Sequence, residues 1–261
     1  MKDGIITIKF VVSILTCLII LGCASAPKNA RNYQEQQLVA ANNEHYDKGK
    51  GYVVQRGFKE AKKVNLNALM QEIQKTSEKP DEVTIIWWLP EEFWRVNFAQ
   101  RATMTEAQIE RVLGVLRHYM IIMVIDGKIG PLGGVTYKSE ETIRNSIQLI
   151  DSQGVHYRPL SSDEIDADTK NFLSMFRPVL SNILGPMGQN MQFFIFPSKN
   201  KNRQDIADAK REGAFSVKLG KKEFKWRLPL GSLLPEKTCP VDGEKLNGAW
   251  KFCPWHGVEL K

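Results

Sequence analysis

Cysteine is scarce in this sequence, with four residues in 261. That excludes the small scaffolds held together by many disulfides. Histidine is equally scarce, at four. There is no Gly-x-Ser-x-Gly elbow, no His-Glu-x-x-His pair and no lysine-bearing phosphate loop, so the hydrolase, metalloprotease and nucleotide-binding classes that use them find no support. Long apolar runs are also lacking: Phe10 to Leu21 is about half of the ~20 residues that a membrane-spanning helix needs. What remains is a chain 43% hydrophobic and 25% charged, able to bury a sizeable core in one or two domains and neither disordered nor multi-spanning. Lysine plus arginine number 36 against 29 acidic residues, a formal +7. So mild an excess does not by itself separate a nucleic-acid binder from a membrane-surface protein.

Residues 1–22, MKDGIITIKFVVSILTCLIILG, place lysines before the apolar run and predict a signal peptide. The run ends in Ile20-Leu21-Gly22-Cys23, followed by the small and polar Ala24-Ser25-Ala26-Pro27. This junction resembles the lipobox of bacterial lipoproteins, although Leu21 stands where a small residue is commonest. The resemblance implies that Cys23 is the lipidation site, acylated with palmitate-type chains, and becomes the first residue of the mature protein. Each buried methylene contributes ~0.8 kcal/mol, so the three chains typical of such lipoproteins hold a protein on the membrane durably. In Gram-negative lipoproteins Asp after the lipidated cysteine retains the protein at the inner membrane; here Ala24 favours the outer membrane. The alternative is an ordinary secretory signal cleaved at Ala24 or Ala26. Processing at Cys23 removes Lys2, Asp3, Lys9 and Cys17 and leaves 239 residues with a charge of +6. Residues 23–56 are polar and amide-rich and read as a tether, which at about 30 residues spans roughly 30 Å.

Residues 57–232 carry the periodic signals. Val64, Leu66, Leu69, Met70 and Ile73 fall at helical spacing. Thr105 and Gln108 form a capping box before the stripe Ile109, Val112, Leu113 and Leu116. A third helix is expected from about Ser162 to Leu184, kinked or split at Pro178 and closed by Gly185-Pro186. Strands are expected at Val83 to Leu89, at His118 to Ile125 with a tight turn at Asp126-Gly127, at Ile147 to Leu149, at Val155 to Tyr157 and at Phe193 to Phe196. The clearest hairpin sets Phe215, Val217 and Leu219 against Phe224, Trp226 and Leu228. Connections this short preclude parallel crossovers. The fold class is therefore α+β: a mainly antiparallel β-sandwich, immunoglobulin-like, with helical insertions and a small module at residues 233–261.

That module holds an internal repeat, Cys239-Pro-Val-Asp-Gly243 and Cys253-Pro-Trp-His-Gly257. Each unit resembles a zinc-ribbon knuckle, and two facing knuckles make a tetrahedral site. Carried over by position, the resemblance implies Cys239, Asp242, Cys253 and His256 as metal ligands and structural zinc as cofactor. Zinc ribbons normally present four cysteines, and a carboxylate in place of a thiolate lowers affinity. A Cys239–Cys253 disulfide and a metal-free degenerate ribbon are the alternatives. Trp226, Trp250 and Trp255 are expected to supply the module's core.

Other chemistry is thin. Gly127, Gly130, Gly133 and Gly134 join strand to strand, whereas phosphate cradles enter a helix. His118 and His156 read as surface histidines. The segment Ile85 to Trp94 carries three tryptophans beside Glu91 and Glu92; core packing is preferred over a ligand groove. Residues 199–261 hold fourteen basic and eight acidic residues, a basic quarter suited to an anionic envelope polymer or an acidic protein partner. Nucleic acid is a poor partner for an exported chain. The reading is a membrane-anchored envelope lipoprotein in a structural or interaction role and not an enzyme. The competing class is an envelope enzyme acting on cell wall or lipid, which requires Glu91, Glu92, His118 or His156 to converge in one cleft.

Overall fold

The computed structural model describes residues 59–77, 79–100 and 104–261. The signal segment, Cys23 and the tether lie outside the described residues. The chain is α+β with mainly antiparallel sheets. It begins with α1 (Leu66–Ile73), β1 (Gln74–Thr76), β2 (Glu82–Leu89), α2 (Glu91–Gln100) and α3 (Glu106–Leu116). There follow β3 (Tyr119–Ile129), β4 (Val135–Tyr137), α4 (Glu140–Ser146), β5 (Ile147–Ile150) and β6 (His156–Tyr157). Next come α5 (Ala167–Leu184), α6 (Pro186–Gln189), β7 (Gln192–Pro197), β8 (Gly213–Leu219) and β9 (Lys222–Leu228), and last the short pair β10 (Lys237–Thr238) and β11 (Lys245–Leu246). No helix of the described residues is long and apolar enough to cross a membrane.

The first sheet runs β1-β2-β3, and the far edge of β3 is shared by β7, along Tyr119 to Val124, and β4, along Gly127 to Ile129. The second runs β6-β5-β8-β9. Directly opposed residues share a face of a sheet, so Thr84, Ile86 and Trp88 stand beside Asp126, Val124 and Ile122. This face meets the second sheet, where Trp88 packs edge-on against Phe215 at 4.8 Å. The opposite face, with Phe193, takes α5, whose Arg177 lies 5.7 Å from the Phe193 ring. Trp94 of α2 sits in turn against Phe172 and Phe176 of α5 at 5.0 and 4.9 Å. Helices, first sheet and second sheet thus form three layers. β2 and β3 are buried on both faces and read as continuous apolar runs, whereas β9 alternates buried Phe224, Trp226 and Leu228 with exposed Glu223, Lys225 and Arg227.

One expectation is corrected. Asp126-Gly127 is not a turn: β3 passes through it and pairs Gly127 with both Val83 and Tyr137. Asp126 is held inside by Thr84, Lys138 and Lys222. The chain reverses instead at residues 130–134, where Gly133 adopts a φ of 83° that glycine tolerates without strain. Of the two outcomes expected at Pro178, a kink or a split, the split does not occur, since α5 continues through it. Pro178 and Ser174, whose carbonyl loses its helical donor, are both exposed, so water can satisfy that carbonyl. The Thr105–Gln108 capping box is present, with Thr105 N donating to Gln108 Oε1 at 2.7 Å and Gln108 N to Thr105 Oγ1 at 3.3 Å.

Candidate metal centre

The C-terminal module has its own small core, Cys239, Leu246, Cys253 and Leu260. The two knuckles are built alike. Gly243 N donates to Cys239 O at 2.9 Å, and Gly257 N donates to Cys253 O at 2.8 Å. Each cysteine N–H then donates across its turn, Cys239 to Glu244 O at 2.9 Å and Cys253 to Val258 O at 2.8 Å. Gly243 and Gly257 close the turns at φ 76° and 65°, a region in which a side chain would be strained. The sequence repeat is therefore a repeat of backbone conformation, and it aims both sulfurs inward.

The ligand atoms of Cys239, Cys253 and His256 lie within 4.8 Å of one another. His256 Nδ1 is 3.4 Å from Cys239 Sγ and 3.5 Å from Cys253 Sγ. A tetrahedral ion with Zn–S of about 2.3 Å and Zn–N of about 2.0–2.1 Å sets S···N edges of about 3.5 Å. The three groups can hold a metal ion. Both cysteines are buried and are not joined in a disulfide. Asp242, the fourth residue expected, stands beside the cluster rather than within it. Its Oδ2 is 3.7 Å from His256 Nδ1, and its Oδ1 accepts the Glu244 N–H at 3.0 Å.

Burial raises the Cys239 thiol above its ordinary value, and the Val241 and Asp242 N–H groups only partly offset it. At Cys253 burial acts the same way but is outweighed by the His256 and Trp255 N–H groups and the His256 ring, so this thiol lies low. The two sulfurs interact with each other, which adds to the rise at Cys239 and to the fall at Cys253. Asp242 is held below the usual carboxylate range, first by the Glu244 N–H and then by Cys239. Backbone donors aimed at sulfur favour thiolate, the form that binds metal.

The expected tryptophan core is not found. Trp226 belongs to the main core, while Trp250 and Trp255 are 43% and 71% exposed. Trp255 occupies a knuckle apex whose tight turn points it outward, as does Val241 in the other unit, and the module's interior is left to four residues.

The residues of the enzyme reading do not meet. Glu91 pairs with Arg95 and Arg117 between α2 and α3, and Glu92 faces Lys210 at 3.9 Å. His156 bonds Gln148 on the outer face of the second sheet, and His118 is exposed at the start of β3. Burial raises the Glu92 carboxyl, but neither of these histidines lies beside it. Trp87, Trp88 and Trp94 are core residues, so the aromatic segment lines no groove. Sequence reasoning missed the seam that docks the module. Glu72 of α1 accepts from Gly231 N, Ser232 N, Ser232 Oγ and Asn247 Nδ2 at 2.5–3.0 Å; nothing local marks a contact between residues so far apart in the chain. Comparison with family models, curated proteins and solved structures finds no match to this chain.

Proposed function

We propose that the protein is a lipid-anchored component of the bacterial envelope, attached through Cys23 and tethered by residues 23–56, with a non-enzymatic structural or interaction role. Support for the last point is the scatter of Glu91, Glu92, His118 and His156 over separate surfaces. In this reading the body is a sandwich of immunoglobulin-like kind. Its partner is an anionic envelope polymer, met by residues 199–232, which carry ten basic and four acidic residues. The remaining residues, 233–261, carry four of each and are neutral, so the basic excess belongs to the β8–β9 region rather than to the knuckles.

The module is a structural zinc site in the same reading. The observation that carries it is the pair of S···N distances at 3.4 and 3.5 Å in a core of only four buried side chains. So small a core needs a crosslink or a metal to stay folded. Cys239, Cys253 and His256 hold the ion, and Asp242 Oδ2 or water completes it. Bound zinc supplies a closed staple between the knuckles. Elemental analysis of the purified soluble part is expected to give one zinc per chain. Cys253→Ala and His256→Ala abolish it, while Asp242→Ala lowers affinity and keeps stoichiometry at saturating zinc. No zinc and no free thiol before reduction would instead mean a disulfide. The anchor is tested separately by acyl labelling, which Cys23→Ser should abolish.

A further inference from the structure

β1 is one edge strand of the first sheet and β9 one edge strand of the second, and side chains approach between them. Trp226 of β9 donates its Nε1 to Ile73 O at 3.1 Å, and Lys75 of β1 lies 5.9 Å from the Trp226 ring. Between the edges opens a cleft of about 380 Å³ lined by Glu72, Lys75, Lys225, Trp226, Arg227 and Leu230. We propose that this cleft binds an anionic group, a carboxylate or a phosphate, with Lys75 and Arg227 as its cationic walls.

The charge balance of the lining decides the sign of the ligand. Glu72 is the one acidic residue, and both its oxygens are spent on the seam: Oε1 on Gly231 N and Asn247 Nδ2, Oε2 on Ser232 N and Oγ. Among the described residues no carboxylate forms an ion pair with Arg227 or Lys75. Lys225 pairs only with Glu223, at 3.5 Å and largely exposed, an attachment that contributes little and is readily exchanged. Lys75 is a half-buried ammonium whose pKa burial lowers despite the field of Glu72; an incoming anion would offset that cost. Arg227 offers a planar fork that matches carboxylate and phosphate oxygens. The volume falls within the range of small-molecule sites, near its lower end, so the ligand is a single charged unit, free or at the end of a polymer.

This inference rests on the proposed anionic partner only for the ligand's origin. Amide shifts of the purified soluble protein, titrated with inorganic phosphate and with glucuronate, read the site directly. Saturable shifts are expected at Gln74 to Thr76 and Lys225 to Gly231. Lys75→Met, which removes the charge and keeps an unbranched apolar side chain, and Arg227→Gln should each weaken binding about tenfold, the loss of one charge-assisted hydrogen bond. Lys128→Gln and Arg158→Gln, exposed cations outside the cleft and outside residues 199–232, should leave it unchanged. Preference for phosphate or for uronate tells which chemistry is recognised, and either supports the site. Equal weakening by all four variants would show a diffuse field and overturn the proposal, as would absence of cleft shifts at tens of millimolar anion. Polymer capture by intact lipoprotein tests the functional reading independently, because it can fail while small anions still bind.

Discussion

Asp126 lies between the two sheets with 1% of its surface exposed. It accepts from Thr84 Oγ1 at 2.7 Å, Lys222 Nζ at 2.9 Å and Lys138 Nζ at 2.6 Å. Lys222 extends the network to Glu82 at 3.0 Å, so one lysine from the second sheet clamps β2 and β3 of the first. Burial pushes the Asp126 carboxyl up, but the bonds from Lys138, Thr84 and Lys222 outweigh it and hold the group below its ordinary value. A lowered folded-state pKa means that the stabilisation is complete above the unfolded value of about 3.9 and is lost as pH falls through the folded value. Urea midpoints followed through acid should therefore drop more steeply for the native protein than for Asp126→Asn; equal slopes would contradict this. Asp126→Ala leaves two lysines without their buried partner. Lys138 is 39% exposed and can turn to water, so the expected cost is about 3 kcal/mol, the lower end for breaking a buried pair.

At the scale of elements, what was legible followed from local periodicity. The β8–β9 hairpin could be read because its outer face is solvated and its side chains alternate. α2 could not: Phe93, Trp94, Val96, Asn97, Phe98 and Ala99 are all buried, so no polar face marks a 3.6-residue period. The Asp-Gly pair at 126–127 misleads for a different reason, since its place in β3 is set by residues distant in sequence. Gly127 is needed there because a Cβ would stand 3.0 Å from Thr136 O and 3.0 Å from Val135 Cγ1. The neighbouring element is β4, only three residues long. Gly127→Val should unpair β4 from β3, at a cost of roughly 1–3 kcal/mol typical of overpacking. Hydrogen exchange would register this as lost protection at Val135 to Tyr137, with β2 and β7 unaffected; retained protection in β4 would refute it. The knuckles were legible because each is complete within five residues, whereas the side position of Asp242 depends on how the two turns meet.

At the scale of the whole molecule, two cores of unequal size are joined at one polar seam. The main core runs from Ala61 to Leu230, and the second has four buried residues. The Glu72 carboxylate ties α1 to the turn at Gly231–Leu233 and, through Asn247, to the module. Gly231 admits Asn247 so closely that a Cβ would lie 1.6 Å from Asn247 Oδ1, so even a methyl group there must displace this side chain. The module's own core is Cys239, Leu246, Cys253 and Leu260, with His256 beside the sulfurs, and under the proposed zinc site its internal fold rests on the metal. Glu72→Ala and metal removal should accordingly fail in different ways. Glu72→Ala leaves the Gly231, Ser232 and Asn247 donors without their acceptor, each a loss of about 1–3 kcal/mol where water cannot reach. It should open the chain near Pro235 to limited proteolysis while zinc stoichiometry is kept. A chelator should instead expose Cys239 and Cys253 to thiol reagents and free the module's amides, leaving exchange in β2, β3 and β7 unchanged. If chelation loosened the main sheets as well, the seam would be transmitting the module's stability to the body, and the two cores would be one cooperative unit.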